Sequence, residues 1–118
     1  MQENITLVNL TILDTESLSE ATPDLVGNAI VGFEMPAAID SATAITFQAT
    51  GEPKGTWKDM YNDLGAELSV VVDVDRHIPV NPSDFASARF LKVRLGTSGT
   101  PVAATADRII SVIVRPVA

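Results

Sequence analysis

Trp57 and Tyr61 are the residues of this chain best suited to holding another molecule, and they are two of only six aromatics. In an extended backbone, positions i and i+4 share a face, so both rings can stack on a sugar or anchor a protein interface. Packing of Trp57 against an edge of the core is an equal alternative. Catalytic constellations are harder to assemble. His77, the only histidine, sits beside Arg76 and two residues after Asp75, at the end of a strand-like run, with no second ligand or base in view. Asp73 and Asp75 alternate with Val72 and Val74 and so share a face. No further oxygen ligands cluster near them, and a solvated strand face is the better reading than a cation site. Gly96-Thr97-Ser98-Gly99 fails as a nucleophile elbow, because Thr100 stands where a second glycine is needed and no histidine follows. The same loop lacks the Gly-Lys-Ser/Thr ending of a phosphate loop. Asn4-Ile5-Thr6 and Asn9-Leu10-Thr11 match the glycosylation sequon and read more simply as strand residues. The expectation is a protein that binds, with no catalytic residue, cofactor or metal.

Composition narrows the partner. The 118 residues suit one domain, and 46% of them are hydrophobic. With no cysteine there is no disulfide framework, thiolate metal site or thiol nucleophile, which suits synthesis in a reducing compartment. Eight basic residues against fifteen acidic ones give a net charge of −7. Nucleic-acid binding, which needs clustered cations, and anionic membrane surfaces are both disfavoured. The opening Met-Gln-Glu-Asn lacks the basic region of an export signal, and no apolar run approaches a membrane span.

The elements that must position these residues are strands. Residues 5–13 are aliphatic and β-branched on both faces, which fits either a strand covered on both sides or an arm lying on a neighbour. Residues 14–24 are polar and read as a loop. A strand over 25–35 places Ala29, Val31 and Phe33 on one side. Over 43–50, Thr43, Ile45, Phe47 and Ala49 alternate with Ala44, Thr46, Gln48 and Thr50, giving one core face and one polar face. The turn 51–55 contains Lys54. A short strand over 56–61 carries Trp57 and Tyr61, and Gly65 in the next turn can take positive φ. Strands follow over 67–74 and 78–80. Asn81 then caps one helical turn over 82–87, with Pro82 at its first position. The strand over 89–95 turns Leu91, Val93 and Leu95 inward and Lys92 and Arg94 outward. After the loop 96–101, a last strand covers 108–114. Roughly eight strands at this spacing predict an all-β, antiparallel, jelly-roll-like sandwich in one domain, with residues 1–24 as an N-terminal arm or edge strand.

Several segments, taken in order, resemble a family of small structural proteins encoded among the head genes of tailed bacteriophages. They are Ile30-Val31-Gly32-Phe33-Glu34-Met35-Pro36-Ala37-Ala38, Ala44-Ile45-Thr46-Phe47-Gln48-Ala49 and Trp57-Lys58-Asp59-Met60-Tyr61-Asn62. Asp84-Phe85-Ala86, Ala88-Arg89-Phe90-Leu91-Lys92-Val93-Arg94, Gly96-Thr97-Ser98-Gly99-Thr100-Pro101-Val102 and Ala106-Asp107-Arg108 through Arg115-Pro116 continue it. The chain departs from that family at Ile39, where an aromatic is common, and in the charge of the turn at 51–55. A weaker likeness, at the level of fold, is to galactose-binding-like jelly rolls.

The phage resemblance implies a virion component on the capsid surface, a decoration or cement protein. Its partners would be the major capsid protein and neighbouring copies of itself, as trimers at symmetry axes. Small linked contacts that form only on the mature shell would stabilise it. The expected contacts are the N-terminal segment (Ile5, Leu7, Val8, Leu10), the aromatic pair (Trp57, Tyr61), and the loops carrying Lys54, Thr97 and Ser98. Removal of residues 1–13 is expected to leave a folded domain that no longer attaches. The alternatives are a virion-surface carbohydrate-binding module and a tail or head–tail connector.

Overall fold

A computed structural model describes residues 5–117. Its strands are β1 (Thr6–Ile12), β2 (Asn28–Glu34), β3 (Ala44–Thr50), β4 (Lys58–Asp59), β5 (Ser69–Val71), β6 (His77–Pro79), β7 (Phe90–Leu95) and β8 (Arg108–Pro116). Among the described residues the one helical element is a 3-10 turn, Pro82–Phe85, capped by the Asn81 side chain, which accepts from the Ser83 N–H. All strand pairs are antiparallel.

One sheet runs β1-β8-β2-β6. In the other, β3 pairs with β7 on one side and with both β4 and β5 on the other. Residues 17–25 run antiparallel along the outer edge of β7. The Ser19, Thr22 and Leu25 N–H groups donate to Val93, Leu91 and Arg89 carbonyls, and the Leu95 N–H donates to Ser17 O. Counting that segment as a strand, the two layers follow jelly-roll order, β1-β8-β2-β6 in one and residues 17–25, β7, β3 and then β4 with β5 in the other. Residues 14–24 form no regular strand, as expected of a loop, but their second half is fastened to the sheet edge. Their polarity has a structural use, since the Thr22 and Ser19 hydroxyls accept from the Leu91 and Val93 N–H groups at 3.0 and 2.9 Å. Both residues are buried.

Between the layers Phe33 from β2, Phe47 from β3 and Phe85 from the 3-10 turn meet. Phe33 and Phe47 stack at 5.4 Å, and Phe85 meets Phe47 edge-on at 5.0 Å. Leu10, Ile12, Ile45, Leu91, Val93, Leu95, Ile110 and Val112 complete the core. Residues alternate inward along β3 and β7 as period two requires.

Four expectations are corrected. In β2 the inward residues are Ile30 and Phe33, not a regular 29, 31, 33 series, because a bulge shifts the register between Ile30 and Gly32. The strand expected over 67–74 is only three residues long, since the chain turns at Val74 and Asp75, where Asp75 has φ 54. The arm reading of residues 5–13 gives way to an edge strand: β1 pairs with β8 over seven residues, from Thr6↔Val114 to Ile12↔Arg108. Its removal would therefore uncover Ile110 and Val112, so a folded remnant lacking residues 1–13 is no longer expected. Residues 1–4, with the opening Met-Gln-Glu-Asn and the first sequon asparagine, lie outside the described residues. The fourth correction concerns the polar face of β3.

Candidate functional site

The face of β3 expected to meet solvent is mostly covered. Thr46 is fully buried, and the register sets it opposite Arg94, with Gln48 opposite both Lys92 and Asp59. Arg94, expected outside, keeps only 8% of its side chain exposed. Its guanidinium lies 2.6 Å from Asp59 Oδ1 and 3.5 Å from Glu67 Oε2, and donates to Thr46 Oγ1 at 3.3 Å. Gln48 Nε2 donates to Asp59 Oδ1 at 3.2 Å. A long cation beside two carboxylates can be buried here because each partner satisfies part of it. The Arg94 hydrogen bond, helped by Gln48, lowers the Asp59 pKa below the usual carboxylate range against the opposing effect of burial.

That network organises the surface around it. Glu67 accepts from the Ser98 N–H with both carboxylate oxygens at 3.2 Å, which fastens loop 96–101 to the β4–β5 excursion. The loop closes tightly: Thr97 and Thr100 exchange backbone hydrogen bonds at 3.2 Å, and Gly96 has φ +84 with no room for a Cβ beside Thr100 O. Tyr61 bridges Glu67 through the backbone and keeps its ring exposed. Trp57, two residues before Asp59, is outside the core cluster, and the Lys92 ammonium sits 4.6 Å from its ring centroid. Trp57, Tyr61, Thr97 and Ser98 therefore belong to one outer surface on the β3 sheet. Lys54 lies in an exposed turn with φ 60.

The N-terminal candidates are on the other sheet. Ile5 and Leu7 are exposed, whereas Leu10 is 1% exposed and Val8 is partly buried against the core, so neither of these two presents a contact surface. On the outer face of that sheet Leu7 stands opposite Ile113, and Ile109 is exposed nearby opposite Thr11. Ile113 is buried yet separate from the core cluster, because it covers Gly32 from outside. Sequence patterning missed Arg94, Asp59, Glu67, Lys92 and Ile109. Only strand register, which sets Gln48 beside Asp59 and Lys92, Thr46 beside Arg94, and Thr11 beside Ile109, brings most of them into view.

The remaining titratable groups act as clips. Asp40, at φ 60, accepts from Thr105 Oγ1 at 2.6 Å and from the Arg108 Nε and Nη2 at 3.2 and 3.1 Å, tying the β2–β3 connection to the start of β8. The Arg108 and Thr105 hydrogen bonds hold its pKa at about 2. Asp24 and Arg89 form a bidentate pair at 2.8–3.0 Å, which lowers the Asp24 pKa. His77 Nδ1 is 2.9 Å from Glu34 Oε2 on the surface. Asp73 pairs with Arg76 at 3.6 Å in the open. Among the described residues no three His, Cys, Asp or Glu side chains gather as metal ligands, and no helix is long and apolar enough to cross a membrane. No family model, curated protein or solved structure matches the chain.

Proposed function

We propose that the protein is a non-catalytic virion component that bridges and stabilises major capsid protein subunits from the capsid surface. What carries the reading beyond the residue resemblance is the presence of candidate contact surfaces on both sheets. A bridge needs two contact faces. One is the apolar face with Ile5, Leu7 and Ile109; the other is the Trp57–Tyr61 surface with the loop at Thr97 and Ser98. The Arg94 network fixes the second surface to the sheet, so little ordering entropy is lost on binding. The acidic charge favours solubility until linked contacts on a shell raise the effective concentration.

The test mixes purified protein with expanded capsids that lack it, pellets them and counts bound copies. Saturable binding at a number matching the capsid symmetry sites, with greater heat resistance of the shell, is the expected result. Leu7→Lys and Trp57→Ala should each weaken it, since each removes one face. No binding by the folded wild-type protein would refute the reading. A sugar-binding role is less well supported, because Lys92 already occupies one face of Trp57 and leaves Tyr61 as the open ring.

A further inference from the structure

Sheet edges differ in how they are defended, and among the described residues the first half of β1 is left open. An unpaired strand edge offers N–H and C=O groups to any other strand, and proteins usually block it with charge, proline, brevity or cover. The edge of β7 is covered by residues 17–25. β6 is three residues long, begins with His77 after Arg76 and ends with Pro79, which has no N–H. β4 and β5 are two and three residues long and are separated by the excursion closed at Tyr61 and Glu67.

Among the described residues, β1 has none of these devices over its first half. Residues 5–13 contain no charge and no proline in a chain of net charge −7. Its far end is closed by Glu20, whose N–H donates to Thr11 O and whose carboxylate accepts from the Thr11 N–H, both at 3.4 Å. Thr11 therefore turns its backbone polar groups away from β8, and by antiparallel alternation Asn9, Leu7 and Ile5 do the same. Among the described residues nothing accepts or donates along that edge from Ile5 to Asn9.

We propose that this open edge pairs with the same edge of a second copy, antiparallel across a two-fold axis at Leu7. The register then sets Leu7 against Leu7 and Ile5 against Asn9, and it stops where Glu20 occupies Thr11. The two four-stranded sheets become one continuous sheet. Odd-numbered residues of β1 face outward, so both copies' Leu7 side chains lie together on the outer face, each opposite its own Ile113. The occupant is a second copy because the segment is self-complementary in this register. It is also an uncharged stretch at which two acidic chains can meet without like charges opposed. The seam is short, well below the ~800 Å² per partner of a standard interface, so the dimer forms at high concentration and not at trace levels. Mutual repulsion of the copies opposes it, so added salt strengthens it. This inference does not rest on the capsid reading.

Sedimentation equilibrium of the full chain over a wide concentration range tests it. The wild type should show a monomer–dimer equilibrium that shifts toward dimer as salt rises. Leu7→Lys, which sets two ammonium groups face to face, should weaken association at least about tenfold. Leu7→Pro removes both central hydrogen bonds while leaving the β8 ladder intact, because the Leu7 N–H points away from β8, and it should do the same. Val26→Lys, at an exposed apolar residue outside β1, should dimerise like the wild type. Circular dichroism checks the fold of each variant, and Leu7→Lys decides if Leu7→Pro is unfolded. A wild type that stays monomeric at about 1 mM, or a folded Leu7→Lys protein that dimerises unchanged, overturns the proposal. So does association only into species other than a dimer.

Discussion

Replacing Arg94 with methionine separates the observed structure from the sequence pattern more sharply than any other change. On a solvated strand face, losing one arginine would change stability by no more than about 0.5 kcal/mol. Here the side chain is 8% exposed, and its loss leaves Asp59 and Glu67 facing each other without a cation. Breaking a fully buried ion pair from one side costs roughly 3–5 kcal/mol. Asp59 retains 33% and Glu67 17% of side-chain exposure, so water recovers part of that cost. A loss of about 2–4 kcal/mol is expected after this discount for solvent access. With a urea dependence of about 2 kcal/mol/M, the unfolding midpoint should fall by roughly 1–2 M at unchanged slope. Trp57, the single tryptophan, lies next to this network and reports the transition by fluorescence. Pairing the change with Asp59→Asn should restore part of the loss, because the carboxylate left unpaired is gone, with a coupling of about 0.5–3 kcal/mol. A single-variant loss under about 0.5 kcal/mol would refute the claim that this charge is held by burial and pairing.

Two further outcomes follow from other sites. The Asp40 pKa of about 2 lies below its ordinary value of 3.8, so this group adds stability that is fully present above pH 4 and lost as pH falls toward 2. Asp40→Asn keeps a residue tolerant of positive φ and should flatten the fall of the melting midpoint across that window; curves parallel to the wild type would contradict it. At Gly32 a Cβ would stand 2.8 Å from Ile78 O and 3.2 Å from Ile113 Cδ1, so Gly32→Ala should cost about 1–3 kcal/mol by urea titration. Gly99→Ala, with nothing within 4 Å, should be close to neutral and serves as its control.

Much of the fold was legible because strand periodicity is a local property. Leu91, Val93 and Leu95 announced an inward face, Gly65 a left-handed turn at φ +86, and Asn81-Pro82 the single helical turn. What escaped depended on partners distant in sequence. Ser19 and Thr22 look like loop residues until their hydroxyls are set against the N–H groups of β7. The bulge at Val31 leaves no trace in composition, yet it moves the upstream inward position from Val31 to Ile30 while Phe33 stays in the core. Arg94 reads as exposed because charge is normally exposed. Only register reveals that Thr46, Asp59 and Glu67 converge on it. The candidate site was half legible for the same reason: Trp57 and Tyr61 were visible as types, whereas the ion network that fixes their surface was not.

The pairing of β1 with β8 also sets the order of folding. Asn9 and Ser111, joined by a side-chain hydrogen bond at 2.7 Å, are 102 residues apart. Closing a loop of that length costs about 2 kcal/mol more than closing a ten-residue hairpin. The Ser19–Val93 bond spans 74 residues, so the early part of the chain lacks a sheet neighbour until the late part has been made. β3, β4 and β5, which pair over short distances, can nucleate first. Through that interval the uncharged stretch 5–13 remains unpaired, and it is the segment most exposed to aggregation in a half-folded chain. Refolding yield should therefore depend on protein concentration long before native stability becomes limiting.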